Sequence, residues 1–169
     1  MQTLEVKSKL QHILAEEFAI LEDVVLKQTP NADLHRKAYA YFEQNGFPTK
    51  KNEEWKYMSL SKMLNKEYAF PRPSDKLSLT EEEFADYPLH CIEAYNIVME
   101  NGRWNKELSS KDLPKGLHVK LLSETSGEVS KYIYKTVPHD TNAFTALNSA
   151  FSTNPVVISL EKNTVLDKP

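Results

Sequence analysis

The hydrophobic period changes part-way along this chain, and that change limits the possible folds more than any other feature. From Leu10 onward, apolar residues recur at three- and four-residue spacing, as on one face of a helix. From Tyr95 they alternate, as in a strand with one face covered. Helices first, then strands with short helical segments among them, predict an α+β fold.

The first predicted helix runs from roughly Leu4 to Lys27. Leu10, Ile13, Leu14, Phe18, Leu21 and Val25 form its apolar stripe, and Glu5, Lys9, Glu16, Glu17 and Glu22 fall mostly on the other faces. A second helix lies in "TPNADLHRKAYAYFEQNGFP". Asn31 is the expected N-cap, and Asp33 suits the positive first turn. Gly46 supplies a left-handed residue after the last turn, Phe47 packs back on Phe42, and Pro48 stops continuation. Leu34, Ala38, Tyr41 and Phe42 form the predicted buried face. Leu60, Met63 and Leu64 allow one short helix before the extended connector marked by Pro71 and Pro73. Thr80 and Glu83 have capping-box spacing, for a helix of a turn or two.

Asn101-Gly102 predicts a tight hairpin, because both turn residues must take positive φ. Tyr95, Ile97 and Met99 lie on one of its faces, and Asn96, Val98 and Glu100 on the other. "GLHVKLL" is a third strand with Leu117, Val119 and Leu121 on one side. "GEVSKYIYKTV" and "TNAFTALNSAF" read as short helices, the latter capped by Asp140 or Asn142. The run Val156–Leu160 is a final strand, expected either to join the Tyr95–Leu108 hairpin or to begin a further sheet. Its open edge is suited to pairing with another copy. The predicted organisation is a helical region over 1–70, a small α+β region over 71–139, and the start of a new core over 140–169.

Composition excludes several functions. The 169 residues carry a net charge of -3 and no basic surplus, which argues against nucleic acid. No apolar run is long enough for a membrane span or a secretory signal, so a cytoplasmic address is expected. One cysteine, Cys91, excludes an internal disulfide and any cysteine-based zinc or iron–sulfur site within the chain. Only 4 glycines leave no phosphate-binding loop.

No residue pattern predicts a catalytic, metal or cofactor site. The histidines at 12, 35, 90, 118 and 139 have no i, i+4 pair and are expected at the surface or half-buried. An enzyme built on His139, Asp140 and Cys91 is the catalytic alternative. However, neighbouring side chains on an extended segment point apart, and Cys91 among apolar residues reads as a small buried hydrophobe. Trp55 and Tyr57, in "KNEEWKYMSL", are two residues apart and form no stacking platform on a helix. They are expected to pack in the core or at a domain interface, with an exposed partner anchor as the alternative. Full burial of Trp55 would make Trp55→Ala cost about 3–5 kcal/mol.

The stretch Ala38–Leu64 resembles the amino-terminal segment of SufD proteins, of the SufB/SufD iron–sulfur cluster assembly family. Gly46, Pro48, Lys50, Glu53, Trp55, Lys56, Tyr57 and Leu60 match its pattern, and Met58 stands where threonine is common. "DTNAFTALNSAFSTNPVVISLEKNTVLDKP" is similar to the family's entry into its core, with Phe144, Leu147, Asn148 and Ala150 matching and Asp140 one residue out of the commonest spacing. "IVMENGRWNKELSSKDLPKGLHVKLLSE" resembles the segment between them. The resemblance implies a non-catalytic scaffold region leading into a right-handed parallel β-helix. It implies SufB-like and SufC-like partners in the full-length protein, a cluster carried by the complex, and ATP through the SufC-like subunit. It also marks Gly46, Pro48, Glu53, Trp55, Tyr57, Phe144 and Asn148 as packing or partner anchors. A free-standing protein-interaction module is the alternative from a different class.

Overall fold

The computed structural model describes residues 7–28, 31–72, 75–87, 92–133 and 135–169. It is α+β, with helices dominating the amino-terminal part and two small antiparallel sheets following. The chain forms two compact units, Met1–Phe70 with Ser130–Thr153, and Pro71–Val129 with Asn154–Pro169. The segment 140–169, expected to behave as one piece, is therefore divided between them.

The first unit is built on α1 (Lys9–Val24), α2 (Ala32–Asn45), α3 (Ser61–Leu64) and α5 (Ala143–Phe151). Helix α1 begins at Lys9, just before the Leu10 stripe and later than the predicted start near Leu4. Ser8 and Gln11 form a reciprocal capping box there, each side chain accepting the other's backbone N–H. Asn31 does not cap α2. It sits at φ 67 with no side-chain cap bond, so it serves as a left-handed hinge rather than an acceptor. Gly46 closes α2 at φ 64, donating its N–H to the Phe42 carbonyl at 2.7 Å. Phe47 then packs edge-on against Phe42 at 5.0 Å, as the sequence predicts.

Small residues make the core possible. Ala143, Ala146 and Ala150 share one face of α5, and with Ala38 of α2 they let the two backbones approach closely. That contact turns α2 further than its periodicity suggested. His35 and Tyr39 are buried along with Ala38 and Phe42, while Leu34 and Tyr41 are only half-covered. His35, expected at or near the surface, is 5% exposed, with Nδ1 3.2 Å from the Ala150 carbonyl. Phe18 stacks on Tyr39 at 4.0 Å, and Phe151 meets both rings edge-on.

The second unit holds α4 (Glu81–Ala85), the two-stranded sheet of β1 (Met99–Glu100) and β2 (Arg103–Trp104), and the sheet of β3 (Leu117–Leu121) with β4 (Val156–Leu160). Asn101 at φ 50 and Gly102 at φ 76 form the predicted turn. Thr80 and Glu83 form the predicted capping box on α4. β4 does not join the Tyr95–Leu108 hairpin. It runs antiparallel to β3, with Leu117 opposite Leu160 and Leu121 opposite Val156. "GEVSKYIYKTV" gives only a 3₁₀ turn at Val129–Tyr132 among the described residues.

Polar side chains tie the parts of this unit together. The Ser109 hydroxyl donates to the Asn105 carbonyl and accepts from the Val98 N–H and the Trp104 indole. The Glu100 carboxylate accepts from the Ser78 and Leu79 N–H groups and from the Asn105 amide, tying the connector to the hairpin. These bonds, led by that from the Ser78 N–H, hold its pKa below the ordinary 4.5. Glu124, bonded by the Leu121 N–H and Lys106, and Asp167, bonded by the Tyr95 hydroxyl, are lowered as well. A lowered folded-state pKa gives stability that is complete above the unfolded value and lost as pH falls through the folded one. Melting of the second unit is therefore expected to drop as pH falls below about 4.5, and Glu100→Gln to flatten that drop. An unchanged acid slope in thermal melts of the variant would refute the assignment to Glu100.

Candidate functional site

The loop between α2 and α3 forms one wall of an open groove of about 550 Å³ in the first unit. Lys7, Ser8 and Gln11 at the start of α1 form the opposite wall, with Gly46, Phe47, Pro48 and Lys50 between. Leu60 and Leu64 bring apolar surface, and Asn45, Thr49, Ser59, Ser61 and Asn65 bring hydrogen-bonding groups. Positive φ at Gly46 aims the chain into this turn. A Cβ there would stand 3.1 Å from the Gln11 amide, so glycine also lets the two walls approach.

Trp55 supports the loop from another side. It ends a 3₁₀ turn over Glu53–Trp55, and its half-buried ring lies 5.3 Å from that of Phe144 on α5. Phe144 also meets Phe47 at 5.8 Å, so the two motif segments, far apart in sequence, join through three rings. The contact is made to a helix. Because the ring is only partly covered, Trp55→Ala should cost about 2 kcal/mol, roughly half the loss for a fully buried ring. Chemical denaturation of a Trp55→Ala chain, followed by circular dichroism, measures this. A loss of 4 kcal/mol or more would restore the core assignment.

The remaining motif residues face outward. Tyr57 is 94% exposed, with Lys56 Nζ 5.7 Å from its ring centre, so it packs on nothing in the chain's core. Glu53 is exposed and lies 3.9 Å from Lys56. Pro48 is half-covered beside the groove, and Asn148 is exposed on α5. His139 is half-buried and Asp140 exposed, and the cap of α5 is Asn142, which accepts from the Phe144 and Thr145 N–H groups. Cys91 and His90 lie outside the described residues. Among the described residues, no three His, Cys, Asp or Glu side chains come together as a metal site, and no helix is long and apolar enough to cross a membrane.

Sequence reasoning missed the Ser109 and Glu100 locks and the groove. The Asn105 side chain accepting from the Glu107 and Leu108 N–H groups is the turn signal that "WNKELSS" carried.

The sequence pattern of the SufBD protein N-terminal region matches residues 9–169. The chain belongs to this family. No curated protein matches the chain significantly. The SufBD pattern begins at the first residue of α1 and runs through β4, so it takes in both compact units. It is shared by SufB and SufD proteins, and the groove, the Trp55–Phe144 contact and the Asn101-Gly102 hairpin all lie within it.

Proposed function

We propose that the chain is the non-catalytic amino-terminal portion of a SufD-like scaffold subunit that supports iron–sulfur cluster assembly in a cytoplasmic SufB–SufC–SufD type complex. The family match over residues 9–169 carries this reading. The SufD assignment rests on the Gly46–Leu60 motif and the segment after Asp140, and on the way Trp55 and Phe144 bring those two segments together. In this reading the cluster is the complex's cargo, ATP is used by the SufC-like subunit, and the region itself acts by packing and presentation.

The β3–β4 ribbon supports a β-helix continuation. Leu117, Val119, Leu121, Val156, Ile158 and Leu160 all fall on one face, and Ile158 and Leu160 stay 57% and 47% exposed. Such an aliphatic face suits stacking by further strands. The test is co-purification of the full-length protein, with and without residues 9–169, alongside SufB-like and SufC-like subunits. Recovery of a complex carrying an iron–sulfur cluster is expected. Failure of the full-length protein to bring down either subunit would overturn the scaffold reading. Concentration-dependent dimers abolished by Ile158→Lys would assign the β4 edge to self-pairing instead.

A further inference from the structure

We propose that the groove between the start of α1 and the α2–α3 loop is a docking site for an acidic, leucine-bearing segment of a partner protein. The inference goes beyond the scaffold reading and does not depend on it.

Charge decides the class of occupant. The chain as a whole carries -3, yet among the described residues the groove's lining includes Lys7 and Lys50 and no carboxylate. The loop from Thr49 to Lys66 concentrates Lys50, Lys51, Lys56, Lys62 and Lys66 against Glu53 and Glu54 alone. Lys7 reaches Glu43 at 3.2 Å, but both side chains are about half exposed, so solvent weakens that pair and leaves the lysine open to a better one. A local excess of cations on an acidic protein steers acidic ligands toward this face.

Shape and polarity narrow it further. The groove is open rather than closed and holds about 550 Å³, room for several side chains of a chain segment rather than one small anion. Leu60, Leu64 and the 57% exposed Met58 supply apolar contact, and Met adapts to varied side chains. Tyr57, on the same loop, adds an exposed aromatic of the type enriched at binding hot spots. The Trp55–Phe144 contact holds the loop in place beforehand, which lowers the ordering cost of binding.

The test uses two short fluorescein-labelled peptides, one alternating glutamate pairs with leucine, the other lysine pairs with leucine, titrated into the full chain and read by anisotropy. The glutamate peptide is expected to bind and to weaken with added salt, and the lysine peptide not to bind. A Lys7→Glu, Lys50→Glu double variant should lose about tenfold for the glutamate peptide and gain binding of the lysine peptide. That gain cannot come from an unfolded chain. Met58→Asp, at an exposed position, should also weaken the glutamate peptide. Equal binding of both peptides, or an unchanged glutamate titration in the double variant, would overturn the proposal. Complete displacement by inorganic phosphate would likewise overturn it, in favour of a small-anion site.

Discussion

Phe42→Ala is expected to remove about 3–5 kcal/mol of stability, the range for deleting a fully buried aromatic ring. Phe42 is 2% exposed and sits between Tyr39, at 6.2 Å, and Phe47, at 5.0 Å. Its ring therefore links the α1–α2–α5 core to the turn that opens the groove wall. Deleting it leaves a cavity that the alanines of α5 are too small to fill. Trp55 lies in the first unit and Trp104 in the second, so denaturation of a Trp104→Phe chain followed by fluorescence reports the affected unit alone. A loss under 1 kcal/mol would mean that α5 collapses onto the gap.

Gly116→Ala should be nearly as damaging, through the backbone rather than the core. Gly116 has φ +89, where a side chain is strained, and a Cβ there would fall well inside contact of Thr164 Oγ1, with Cγ2 at 3.2 Å. Strain of about 1–3 kcal/mol and overpacking of similar size together give about 2–6 kcal/mol. The Gly116 carbonyl accepts the Glu161 N–H at 2.8 Å just beyond the Leu117–Leu160 pair, so the damage falls where β3 and β4 begin to pair. Adding Thr164→Ala should recover the overpacking share and leave the strain. Full recovery in the double variant would show that φ at this position costs nothing.

What the sequence disclosed, and what it hid, follows from the range of the interactions involved. The Thr80–Glu83 box, the Asn101-Gly102 turn and the Gly46–Phe47 closure each depend on a few neighbouring residues, and all three are present. The aliphatic alternation in Leu117–Leu121 was likewise visible, but its partner was not. β4 lies more than thirty residues away, and nothing local specifies an antiparallel register between two aliphatic runs. His35 is buried against the Ala150 carbonyl and Tyr39 beneath Phe18 and Phe151, neighbours that α2's own periodicity cannot reveal. Asn31 misled because asparagine suits both an N-cap and a left-handed hinge. At the candidate site the motif residues were legible individually. That Trp55 would meet Phe144, while Tyr57 two positions on would stand in solvent, depends on a contact made only in the folded chain.

The division of the first unit into two stretches of chain also sets a schedule for its synthesis. Roughly a hundred residues separate the end of α2 from the start of α5, whose alanines cover Ala38 and Phe42. At about 5–20 residues per second, a ribosome takes roughly 5–20 s to make them. During that interval Phe18 and Tyr39 can stack on each other but lack Phe151, and the α2 face at Ala38 lacks α5. Binding by a chaperone to ribosome-bound chains should therefore peak at lengths beyond Asn45 and fall once Phe151 has left the exit tunnel.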